Sequence, residues 1–170
     1  MCMSRDSFYV GVDPGTRGLG YACIKKDFIG QMKIIKSGEI LFEDSELFSS
    51  RLSFIYDFFG SFFRDLKSDF GCDICIKLVV EEQFVAKNVK SSFALVSVRA
   101  ILMLLSFKES VDFFGMAPRK VKRILTGSGA SNKEAVESAV SNFVDRSHLC
   151  HSMDESDAIA IALSAALEAL

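Results

Sequence analysis

The segment Phe8-Tyr9-Val10-Gly11-Val12-Asp13-Pro14-Gly15-Thr16 is a strand-forming run that ends on a carboxylate. Aromatic and β-branched residues favour a pleated, half-buried strand; Pro14 then removes a backbone donor, and Gly15 permits dihedrals that other residues avoid. Asp13 therefore stands where strand gives way to turn. Aspartate is also a common turn former, because its side chain bonds its own backbone, so this residue alone does not define a site. Its meaning depends on which other acids the fold brings to it.

Beyond the turn, Leu19–Ile24 and Met32–Phe42 read as second and third strands, joined closely enough for an antiparallel meander. From Leu47 the period changes. Phe48, Leu52, Ile55, Phe59, Phe62 and Leu66 recur at helical spacing, which makes most of these phenylalanines core. Ile74–Glu81 is a fourth strand, apolar apart from Lys77, as expected of a strand covered on both faces. Ser91 is placed to cap a helix from Ser92 to about Phe107, whose apolar residues spread around much of its circumference; such a helix lies centrally or in a subunit interface. Val111–Phe114 makes a fifth strand, Pro118 opens a helix, and Gly127-Ser128-Gly129 breaks the chain. Ser131 with Glu134 fits a capping box for a helix carrying Val136, Val140 and Phe143, and a last helix runs from about Asp154 to Leu170. The expectation is an α/β fold, a five-stranded mixed sheet with helices on both faces, in a single domain over residues 1–170.

The net charge of -2 gives no overall attraction to nucleic acid, so any such binding must come from a local patch. Five cysteines do not suggest a disulfide framework. Cys72 and Cys75 form a C-x-x-C, and His148, Cys150 and His151 cluster later, but no second C-x-x-C completes a zinc site, and Cys75 opens a strand where a small buried thiol is ordinary. The amino end carries no signal-peptide pattern, and the apolar run Ala100–Leu105 is far short of the ~20 residues that cross a bilayer. A soluble cytoplasmic protein with no membrane association is expected.

Glu81 ends the fourth strand much as Asp13 ends the first, so the two acids meet if those strands are neighbours. Glu82 follows directly. Successive strand side chains point to opposite faces, so only one of this pair can share Asp13's side, and spacing does not say which. Asp154 and Asp157 lie three apart at a helix start, on one face, where the amide dipoles favour negative charge; simple capping would explain them equally well. Crowded carboxylates repel one another and hold protons unless a cation is present. Mg²⁺ or Mn²⁺ suits hard oxygen ligands, and two such ions can drive phosphodiester hydrolysis. From Arg119 to Lys133 the chain carries Arg119, Lys120, Lys122, Arg123 and Lys133 with no acid among them, a segment suited to phosphates or simply to a solvated face.

Four pieces in order, Val10–Thr16 with Gly20-Tyr21, Val80–Phe84 with Ala86-Lys87-Asn88, Val121-Lys122 with Gly127-Ser128-Gly129 and Lys133, and Asp154-Glu155-Ser156-Asp157-Ala158, together resemble the RuvC family of Holliday junction resolvases across nearly the whole chain. The resemblance implies a ribonuclease H-like fold, a homodimer, Mg²⁺-dependent cutting of four-way junction DNA that leaves 5′-phosphate and 3′-hydroxyl ends, two metal ions per site, and work beside the branch-migration proteins RuvA and RuvB. It implies that Asp13, Glu81 rather than Glu82, Asp154 and Asp157 are catalytic and metal-binding, that Lys122 and Lys133 lie near the scissile phosphate, and that Phe84 stacks at the junction centre. Arg119, Lys120 and Arg123 are further candidates for DNA contact. The chain departs from the family in placing Val96 and Ala100 where glycines are expected. An actin-like ATPase would share the Gly11–Thr16 loop but needs a second nucleotide-binding half that this length does not provide. An RNA-processing relative and a non-catalytic junction-binding module complete the alternatives.

Overall fold

The structure is a computed structural model that describes residues 6–82, 89–143 and 152–168. Its elements are β1 (Ser7–Pro14), β2 (Gly18–Lys26), β3 (Met32–Leu41), α1 (Phe48–Phe70), β4 (Cys75–Glu81), α2 (Val89–Lys108), β5 (Asp112–Met116), α3 (Pro118–Thr126), α4 (Lys133–Ser141) and α5 (Met153–Glu168). The sheet runs in the order β3-β2-β1-β4-β5. The first three strands form the expected antiparallel meander, while β4 and β5 lie parallel to β1, reached by crossovers through α1 and α2. This is the five-stranded mixed sheet anticipated from the residue pattern.

Each face of the sheet has its own apolar cluster, because alternate residues of every strand point opposite ways. Phe8, Val10, Val12, Leu78 and Val80 face α1 and α2, where Phe59, Phe63, Leu102 and Leu105 cover them. Tyr9, Ala22, Ile24 and Val79 face the other way, toward α5 and the flanking α3 and α4. The α5 side is apolar almost all round: Ala158 through Ala166 are buried without exception. Such a helix belongs between a sheet and further helices rather than at a surface.

That helix presses unusually close to the sheet. A methyl at Gly11 would lie 2.6 Å from the Ala162 amide nitrogen, and one at Gly20 would overlap the carbonyl oxygen of Asp154. Glycine at these two strand positions lets backbone meet backbone, which seats the first turns of α5 directly on β1 and β2.

Several local expectations need correction. α2 begins at Val89, so Ser91 lies inside its first turn rather than ahead of it. The cap of α4 is Asn132, whose side chain accepts from the Ala135 amide; Ser131 is instead committed to Thr126, hydroxyl to hydroxyl at 2.7 Å. Phe143 lies beyond the end of α4 and is 44% exposed, whereas Val136 and Val140 are buried as expected. Counted whole, α2 is also long and apolar enough to cross a membrane by length and composition, which the short run Ala100–Leu105 did not suggest. In the fold it packs on α1 and against β5, with Leu95, Val98, Leu102 and Leu105 buried.

Candidate active site

Asp13 lies next to last in β1, and the turn after it is closed by a hydrogen bond from the Gly15 amide to the Gly18 carbonyl at 2.8 Å. β4 runs parallel beside β1 with Val12 level with Val80, so Asp13 and Glu81 end adjacent strands at the same height. Alternation then decides between the two glutamates. Tyr9 and Val79 belong to the cluster on the α5 face, so Asp13 and Glu81, four and two residues further along alternating strands, project toward α5. Glu82 is exposed and turns instead toward Arg99, 4.0 Å from its guanidinium.

Asp154 and Asp157 occupy the first turns of α5, which Ser152 caps through a hydrogen bond from the Glu155 amide at 3.1 Å. The side chain of Glu155 points away from them, into the fold: it is buried and accepts a 2.5 Å hydrogen bond from the Ser37 hydroxyl on β3. Both aspartates lie near enough to the strand tips to act electrostatically on Asp13.

The Asp13 carboxyl is pushed up to about 8, first by burial, then by the charges of Glu81, Asp157 and Asp154, and by a hydrogen bond to Glu81. Glu81 is also raised, by burial foremost and by Asp157, although its bond with Asp13 works the other way. The pair thus shares a proton, held mainly on Asp13. Asp157 is met by a cation, with Lys133 Nζ 2.9 Å from its Oδ2. Among the described residues no three of these acids stand close enough to close on one ion as they lie. The reason is visible: two acids bond each other and a third is turned to a lysine. As donors they are hard oxygen ligands whose mutual repulsion a divalent cation would relieve, so they suit Mg²⁺ or Mn²⁺ in charge and chemistry, with rotation of the side chains to close the shell.

Beside the acids runs a cleft of about 220 Å³ lined by Glu81, Asp157, Lys122 and Lys133 with Pro118, Val121, Val136, Ala160 and Ile161. The structure therefore brings Lys122 on α3 and Lys133 on α4 to the acidic group. It does not bring Lys120 there: that side chain is paired with Glu168 at the far end of α5, 2.7 Å away. Arg119 and Arg123 are exposed on α3. Phe84, the segment Ala86-Lys87-Asn88, and His148, Cys150 and His151 lie outside the described residues. Cys72 and Cys75 are free thiols, and burial pushes the Cys23 thiol up to about 12, which leaves it inert as a nucleophile.

Residue patterns alone did not reveal Arg99 and Glu155. A single arginine inside an apolar helix was the available signal for the first. The S-x-x-E spacing of Ser152 and Glu155 was the signal for the second, although the glutamate bonds across the fold rather than back to its own cap.

A mixed five-stranded sheet that gathers carboxylates at the ends of adjacent parallel strands and at one helix start is the arrangement of the ribonuclease H-like nucleases. The family model described as "Crossover junction endodeoxyribonuclease RuvC" matches residues 9–165. Proteins of that description from Chlorobium phaeovibrioides and Brachyspira hyodysenteriae are 32% and 31% identical to this chain, each over 91% of it and over 78% and 91% of their own lengths. The chain belongs to the RuvC family. In fold it is similar to Thermus thermophilus RuvC in complex with Holliday junction substrate, at a TM-score of 0.80 and 22% identity over 95% of this chain and 94% of that one. A second structure of Thermus thermophilus RuvC gives a TM-score of 0.78 at 21% identity, over 95% of both chains.

Proposed function

We propose that this chain, as one nuclease domain over residues 1–170, resolves four-way DNA junctions by paired hydrolytic nicks. The observation that carries this reading is the convergence of Asp13, Glu81, Asp154 and Asp157 beside Lys122 and Lys133 in a chain of the RuvC family. Asp13, Glu81, Asp154 and Asp157 would hold two Mg²⁺ ions, or Mn²⁺ in their place, which would supply activation of water and charge stabilisation at the leaving oxygen. Asp13 is flanked by acids from a second strand and from a helix, so it would be the central ligand of the set. Lys122 and Lys133 hold the phosphate, and Lys133 leaves Asp157 to do so. Water adds to phosphorus, the bond to the 3′ oxygen breaks, and the products carry a 5′-phosphate and a 3′-hydroxyl. Arg119 and Arg123 extend the contact along the backbone, as does Lys120 once freed from Glu168, and Phe84 meets an unstacked base.

Two nicks on symmetric strands need two sites, which a twofold homodimer supplies. α2 has the surface for it. Val89, Phe93, Val96, Ala100, Met103 and Phe107 recur at four- and three-residue steps on its outer side, with Phe93 66% and Phe107 86% exposed. An apolar seam of this kind on an otherwise packed helix is a pairing surface. Val96 and Ala100, where the family has glycines, fall on this seam. The enzyme acts in the cytoplasm with RuvA and RuvB.

The test is incubation of purified protein with mobile and immobile four-way junctions, linear duplex and RNA, with and without Mg²⁺. The expected result is Mg²⁺-dependent, symmetric nicking of junctions in preference to duplex. Cutting of RNA with junctions left intact would favour an RNA-processing nuclease instead.

A further inference from the structure

Arg99 is the one charged residue in the middle of α2, between Lys90 near its start and Lys108 at its end. Its guanidinium is not directed to bulk water; it crosses to the end of β4. Nη1 donates to the carbonyl oxygens of Glu81 at 3.3 Å and Val80 at 3.5 Å, and Nη2 lies 4.0 Å from Glu82 Oε1. The plane of the group sits over the ring of Phe113 on β5, 5.3 Å from its centroid. β5 leaves room for it: a methyl at Gly115 would lie 2.5 Å from both Arg99 Nη2 and Glu82 Oε1. Two successive carbonyls, a carboxylate and an aromatic face thus converge on one guanidinium, the geometry for which arginine's planar fork is suited and lysine's ammonium is not.

Glu81 is the last residue of β4, and the amide of Glu82 after it bonds the Met116 carbonyl at 2.9 Å. A carboxylate at a strand tip is aimed by the peptide planes on either side, and the carbonyls that Arg99 binds belong to those two planes. We propose that Arg99 is a positioning residue for Glu81, fixing the end of β4 so that the carboxylate faces Asp13 and is ready to bind metal. The inference rests on the ligand role of Glu81 proposed above. Arg99 lies on the inward side of the helix whose outward side carries the apolar seam, so one element supports both the pairing surface and the acid.

Three variants test this. Arg99→Met keeps the apolar stem against Phe113 and removes every donor; Arg99→Lys restores a cation that can reach one carbonyl; Glu81→Gln is the reference for loss of the ligand. Mn²⁺ binding to the DNA-free protein is read from the electron paramagnetic resonance signal of free Mn²⁺, alongside thermal melting in chelator. Groups that orient a metal ligand from behind change metal affinity by about 10- to 100-fold. Arg99→Met is expected to weaken Mn²⁺ binding within that range, with cooperative melting retained, and Arg99→Lys to recover part of the loss. Arg99→Met that binds Mn²⁺ like the wild type, or that loses cooperative melting together with Mn²⁺, overturns the positioning role while leaving Glu81 a ligand. If Glu81→Gln itself binds Mn²⁺ normally, the ligand role of Glu81 fails and this inference fails with it.

Discussion

Asp13→Asn should stabilise the metal-free protein at alkaline pH while abolishing its response to metal. In the folded chain the Asp13 carboxyl is pushed up from 3.8 to about 8, chiefly by burial and then by its acidic neighbours. Between those two values the folded state keeps a proton that the unfolded chain has released, so stability falls as pH rises through the window and levels off above about 8. The full shift at about 1.4 kcal/mol per unit sets an upper bound of about 5–6 kcal/mol. Sharing of the proton with Glu81 and partial solvent contact reduce this to about 2–3 kcal/mol, or about 4–12 °C in Tm for a chain of this size. Asparagine resembles the protonated acid and removes the penalty. In chelator, then, the Tm of Asp13→Asn should match that of the wild type near pH 4–5 and exceed it progressively up to about pH 8. Adding Mn²⁺ should raise the wild-type Tm and leave the variant unmoved. Because the ion must displace the proton, wild-type Mn²⁺ affinity should weaken about tenfold for each pH unit below about 8. Scanning fluorimetry from pH 4 to 9 with and without Mn²⁺ reads all of this. A Tm difference that does not change with pH, or a variant less stable than the wild type at pH 8 in chelator, refutes the reasoning.

Asp157→Asn should bind a synthetic four-way junction as tightly as the wild type in gel shift yet fail to nick it with Mg²⁺; joint loss of binding and cutting would indicate a folding defect. Lys122→Ala and Lys133→Ala should each lower the salt dependence of junction binding by about one unit of slope, measured by titration across salt concentrations, and an unchanged slope removes that lysine from the phosphate contacts. Gly20→Ala should cost at least about 1–3 kcal/mol in urea unfolding, since the added methyl overlaps the Asp154 carbonyl, and should weaken Mn²⁺ binding as α5 is displaced. Phe107→Glu, which charges the exposed seam of α2, should halve the mass seen by light scattering without lowering Tm.

Most of the fold was legible because its signals are local. The strand runs, the helical phenylalanine stripe of α1 and the Pro118 helix start survive in the structure with shifts of a few residues at the ends. What periodicity could not provide was adjacency: nothing in the spacing of Asp13 and Glu81 says that β1 and β4 are parallel neighbours with Val12 beside Val80. That expectation came from resemblance, and the choice between Glu81 and Glu82 became a matter of geometry only once the register was known. Capping assignments erred where a hydroxyl had a competing partner, as Ser131 has in Thr126. Arg99 was invisible for a related reason, since a lone cation has no pattern and its partners are backbone atoms of a distant strand. Lys120 read as one of a basic run until the fold gave it Glu168.

The contact of α5 with bare strand backbone at Gly11 and Gly20 has a consequence for anyone altering this protein. Where side chains separate a helix from a sheet, substitutions can retune the gap by repacking; at these two points no side chain stands between the two layers to exchange. The approach of α5 to β1 and β2 at these points is set by backbone packed on backbone. Changing which ion the protein prefers will therefore have to come from the outer acids and their supports, not from the floor beneath them.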